Sequence, residues 1–101
     1  MFIGIGRFEL FMPASGSLKD KRQVLRSVTG AIRTRFNVAI AEVGLQDKWQ
    51  RAELGVTCVS EGNGHCLQVL GEVERAIARV TAGAGEIVAR EVQVFKAEDL
   101  Y

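Results

Sequence analysis

Apolar residues in this chain recur first with period two, then near 3.6, then twice more with period two, near 3.6 again and finally with period two. Phe2 to Met12 sorts into Gly4, Gly6, Phe8, Leu10 and Met12 on one side and Ile3, Ile5, Arg7, Glu9 and Phe11 on the other. One wholly uncharged side on a period-two run predicts a strand with that side toward a core. Pro13 cannot donate to a ladder, and Ala14-Ser15-Gly16 turns the chain, so the strand ends there. Ser17 is placed as a helix N-cap, with Asp20 three residues on as a variant of the capping box. Leu18, Leu25, Val28, Ile32 and Phe36 then give the stripe of a helix that ends near Asn37.

The second half repeats the plan. Val38 to Val43 reads as a strand, Gly44 to Lys48 as a turn and Trp49 to Ser60 as the second arm of a hairpin. Glu61-Gly62-Asn63-Gly64 breaks that strand, and Asn63 or Ser60 is placed to cap a helix carrying Cys66, Val69, Leu70, Val73, Ile77 and Val80. Gly83-Ala84-Gly85 stops the helix, and Ile87 to Phe95 is a last strand. The order predicts an α+β domain of the ferredoxin-like β-α-β-β-α-β kind, with two helices on one face of a four-stranded antiparallel sheet. Right-handed crossovers put the first and third strands in its centre. With 101 residues there is material for one core, so residues 1–101 are expected to form a single domain.

Six cations and one acid fall between residues 17 and 36, a local charge of +5, whereas the rest of the chain carries −4. At 100° per residue Lys19, Arg22, Arg26 and Arg33 lie within an arc of about 60° beside the apolar stripe. Lys21 joins them at the start of the helix, where first-turn amides already favour anions. These five residues are the candidates for holding RNA or another anion; a solvated helix flank is the competing reading. The helix-free sheet face, by the same alternation, carries Arg7, Glu9, Arg51 and Glu53 with Phe11 and Trp49 toward its ends. It lacks the aromatic platform on which an RNA-recognition motif stacks bases. Phe11, Trp49, Arg51 and Glu53 are candidates for a homodimer face, against the competing reading of a solvated face whose charges pair across strands, and Trp49 is expected to pack, partly exposed, within its own chain over Ile3, Ile5 or Phe11.

Other chemistry finds little support. His65 and Cys66 point about 100° apart on a helix and no second ligand pair stands at zinc spacing, so neither metal nor cofactor is expected. With one histidine, no nucleophile-base pair is marked, and Glu42, Asp47 and Glu53 near the hairpin read as solvated carboxylates, so the chain is expected not to be an enzyme. Nothing favours DNA specifically. No apolar run is long enough for a membrane span, no leader is recognisable, and Cys58 and Cys66 read as reduced core thiols, which predicts a cytoplasmic address.

Ser17-Leu18-Lys19-Asp20-Lys21-Arg22, Phe36-Asn37-Val38, Ala41-Glu42-Val43 and above all Trp49-Gln50-Arg51-Ala52-Glu53-Leu54-Gly55 resemble, in order, the bacterial YlxP-like family, domain of unknown function 503. The resemblance implies a ferredoxin-like fold, no established enzymatic activity and a link to translation through gene neighbourhood. It assigns no catalytic residues. Two occupants follow as expectations: RNA or the ribosome on the basic helix, or a second copy or small ligand on the open sheet face.

Overall fold

The computed structural model describes residues 1–100 and contains β1 (Phe2–Phe11), α1 (Leu18–Arg35), β2 (Ala39–Gly44), β3 (Arg51–Ser60), α2 (Asn63–Thr81), β4 (Glu86–Lys96) and a closing 3₁₀ turn, Ala97–Leu100. The sheet runs β2-β3-β1-β4 with every neighbour antiparallel, so β1 and β3 are central as the crossover rule requires. Phe8 and Leu10 on β1, Met12 just after it, and Ala52, Leu54, Val56 and Cys58 on β3 are buried beneath the helices, which contribute Leu25, Val28, Ile32, Cys66, Leu70, Val73 and Ile77. The uncharged side of β1 thus faces the core. Gly4 and Gly6 belong to that side: a Cβ on Gly4 would lie 3.0 Å from both Cys58 Sγ and Leu70 Cδ1, so the bare backbone is what lets α2 settle on the sheet.

Local signals explain most boundaries. Ser17 Oγ accepts from Asp20 N at 3.1 Å, while Asp20 Oδ2 accepts from Gly16 N at 2.9 Å, a capping box displaced by one residue. At the start of α2 the expected side-chain cap does not form. Gly62 occupies the N-cap without a side chain to offer, and Ser60 Oγ accepts from Gly62 N at 3.2 Å. β3 begins two residues later than the alternation suggests, at Arg51, because Trp49 and Gln50 belong to the turn. Gln50 Nε2 there donates to Pro13 O at 3.0 Å and joins the two turns at that end of the sheet. A register shift between Glu9 and Leu10 bulges the β1–β4 pairing. Ala97 N donates to Met1 O at 2.8 Å.

Candidate anion-binding surface on the helix layer

Lys21 leaves the group of anion-binding candidates. It lies three residues after Leu18 and four before Leu25, within the apolar stripe of α1, and is 2 % exposed. Its Nζ donates to Leu45 O and Lys48 O, both at 2.8 Å, and stands 2.8 Å from Glu42 Oε2. The carboxylate contact is an ion pair without hydrogen-bond geometry, since Glu42 Oε2 accepts no directed bond. A buried ammonium needs such partners, and here they are the carbonyls of the β2–β3 turn. That turn contains Leu45 at φ 58°, a left-handed backbone that a branched side chain seldom adopts, held by the Lys21 bond and by Lys48 N donating to Leu45 O at 3.0 Å. Lys21 is the fastener between α1 and the hairpin. Its place in the apolar stripe is the signal for this in the sequence.

Lys19, Arg22 and Arg26 stay exposed on the flank of α1 next to β2, and among the described residues none pairs with a carboxylate. Arg33 is on the same flank, but its Nη2 donates to Ile40 O at 3.0 Å on the edge strand, so part of its donor capacity serves β2. Three free cations and one partly committed arginine make up the ridge.

Sequence proximity does not reveal a second basic cluster. Arg35, Phe36, Glu72, Arg75 and Arg79 line a groove of about 330 Å³ between the end of α1 and the outer side of α2. The Arg35 guanidinium lies over the Phe36 ring, 5.4 Å from its centroid, which holds it by a cation–π contact. Arg33 and Arg35 are two positions apart, a rotation of about 200°, so ridge and groove occupy opposite flanks of one helix.

The open sheet face is charged but internally paired. Register places Glu9 directly opposite Glu53, and the pairs therefore run diagonally: Arg7 Nε to Glu53 Oε1 at 2.7 Å and Arg51 Nη1 to Glu9 Oε2 at 2.5 Å. Arg7 is held more firmly protonated than usual by its bond to Glu53. The Arg51 guanidinium also covers Phe11, 5.1 Å from the ring centroid. Trp49 stands in the turn rather than on a strand, 56 % exposed, at the Phe11 end of the sheet and away from Ile3 and Ile5, so it covers neither of those two. Between β2 and β1 the face is apolar, a shallow strip lined by Ile5, Ala39, Ala41, Val43 and Gly55.

No three His, Cys, Asp or Glu side chains are grouped to hold a metal among the described residues. Cys58 and Cys66 are free and buried side by side at the α2–sheet contact. Burial, reinforced by the neighbouring Cys66 thiol, pushes Cys58 up to about 11. A thiol so protonated is a poor nucleophile. No helix among the described residues is long and apolar enough to cross a membrane.

The family model "Protein of unknown function (DUF503)" matches residues 3–91. The chain belongs to this family. An uncharacterised protein YlxP of Bacillus subtilis (strain 168) is 38% identical over 76 residues, covering 75% of this chain and 79% of the relative. Solved structures share the architecture at low identity. A de novo designed protein with ferredoxin fold aligns with a TM-score of 0.53 and 12% identity, over 92% of this chain and 85% of that one. A C-terminal segment of the alpha subunit of aIF2 from Pyrococcus abyssi aligns with a TM-score of 0.51 and 17% identity, over 95% of this chain and 49% of that one. At such identities the likeness shows the fold alone, and it is the ferredoxin-like one read from the periodicity.

Proposed function

We propose that this DUF503 protein is a non-catalytic, cytoplasmic RNA-binding module, a ribosome-associated accessory protein whose ridge holds backbone phosphates. The observation that carries this reading is the row of Lys19, Arg22 and Arg26, exposed on one flank without internal counter-charges, whereas the charges of the open sheet face neutralise one another. Cations left unpaired keep their affinity for phosphate, and binding by counterion release needs no particular base sequence. A second reading, a homodimer through the open face, is supported by the apolar strip along Ile5, Ala41 and Val43.

Salt separates the two. Three phosphate contacts to single-stranded RNA give a log–log salt slope of about −2, whereas apolar association holds or tightens as salt rises. The purified protein is expected to sediment with ribosomal particles at low salt, to leave them at high salt, and to lose the association when Arg22→Glu and Arg26→Glu are combined. Both side chains are exposed, so thermal stability should change little. Normal co-sedimentation of the double variant would overturn the ridge reading. A dimer that persists at high salt and dissociates on Val43→Glu would favour the second.

A further inference from the structure

Arginines rarely gather without a counter-charge. Arg75 and Arg79 are four residues apart on α2 and so project from one face, and Arg35 reaches the same groove from α1. The three guanidinium groups share a concave site with a single carboxylate, Glu72, and among the described residues none of the three closes an ion pair with it or with any other acid. Three positive charges therefore face one negative charge across the groove, leaving a net excess of positive charge in the free protein, and the Arg35 guanidinium is steadied over the Phe36 ring. Three planar forks around one concavity suit an anion with several oxygens on one centre, which each fork can meet with two parallel bonds. A carboxylate has too few oxygens to occupy three forks.

From this we infer that the groove lined by Arg35, Arg75 and Arg79 is a binding site for a phosphate group. The site lies on the opposite flank of α1 from Lys19, Arg22 and Arg26 and does not depend on the ridge reading. Glu72 opposes any anion in the groove in proportion to its charge, so it holds down the affinity of the site for phosphate. The phosphate comes either from a nucleic-acid backbone laid across the helix layer or from a free phosphorylated small molecule.

Inorganic pyrophosphate is the first probe, read by NMR on the arginine Nε–Hε resonances of the full chain. Saturable shifts are expected at Arg35, Arg75 and Arg79, with affinity falling about tenfold or more in Arg75→Gln combined with Arg79→Gln, and rising several-fold in Glu72→Gln. Because Arg75 and Arg79 are exposed, the backbone spectrum of the double variant should stay that of the folded protein. Arg22→Glu with Arg26→Glu should leave pyrophosphate binding unchanged. A short oligouridine that shifts the same three resonances and competes with pyrophosphate identifies the source as an RNA backbone. If it shifts only Arg22 and Arg26 while pyrophosphate fills the groove, the source is a small phosphorylated molecule. If it binds nowhere, the ridge reading falls and the groove stands on pyrophosphate alone. Shifts that do not saturate, that chloride reproduces at matched ionic strength, or that survive the Arg75/Arg79 double substitution overturn the site.

Discussion

A single methylene-rich cation does two jobs in this domain, as Lys21 supplies both stem volume to the core side of α1 and hydrogen bonds to a strained turn. Replacing it by Met keeps much of the volume but leaves Lys48 O without the Lys21 bond, Leu45 O with only the Lys48 N–H, and the Glu42 carboxylate without its cation. Urea denaturation of Lys21→Met should show a loss of about 3 kcal/mol, and hydrogen exchange should quicken first at residues 45–48. Adding Glu42→Met should recover only part, because the bonds from Lys21 to the two turn carbonyls remain lost. The composition of the helix hides this role, and only the three- and four-residue spacing to Leu18 and Leu25 exposes it. Cys58 carries a pH consequence of its own. Its thiol is raised in the folded state from an ordinary 9.0 to about 11, so the unfolded chain ionises first. The stabilisation from the buried thiol is whole below about pH 9 and is lost as pH climbs toward about 11. Denaturation midpoints that stay flat between pH 9 and 11 in wild type, or that fall equally in Cys58→Ala, would contradict it. Alkylation of the folded protein at pH 8 should correspondingly be slow.

Elements are legible in the sequence wherever periodicity and caps agree. The β1 alternation, the Ser17 cap and the α1 stripe all place the chain as the structure does, because each is a local signal reinforced by burial. Trp49 departs from its expected place because the alternation does not hold through a residue that belongs to a turn, and no apolar pattern marks where a β-hairpin arm begins. The Arg35/Arg75/Arg79 groove is beyond local signals altogether, since about 40 residues of chain separate its halves and only helix pairing unites them. Two glycines show how element context sets mutational cost. Gly30 sits exposed within α1, and a Cβ added there would meet nothing within 4 Å, so Gly30→Ala should raise stability by about 1 kcal/mol through helix propensity. At Gly85, just before β4, a Cβ would come 2.5 Å from Phe11 O and 3.0 Å from Met12 Cγ. Backbone cannot step aside as a flexible side chain can, and Gly85→Ala should cost about 2 kcal/mol or more. Thermal melts of the two variants moving in the same direction would refute the contrast.

Across the whole molecule, charge is partitioned by layer: the helix side carries the ridge and the groove, and the sheet side carries paired ions. The halves are stitched by Arg90 Nε to Glu74 Oε1 at 2.6 Å between β4 and α2, and by Lys21 between α1 and the hairpin. β4 is the only neighbour of β1 on one side, and it closes the core with Ile87, Val92 and Val94. A chain ending at Gly85 is therefore expected to stay open to protease where the 101-residue chain resists it; equal resistance would show that β4 is dispensable. The same adjacency has a bearing on synthesis. β1 is made first among the strands and β4 last, yet they lie side by side, so one side of β1 stays unpaired while about 75 residues are added. At about 5–20 residues per second this leaves the apolar interior incomplete for roughly four to fifteen seconds, a window in which β1 can pair wrongly or be captured by a chaperone.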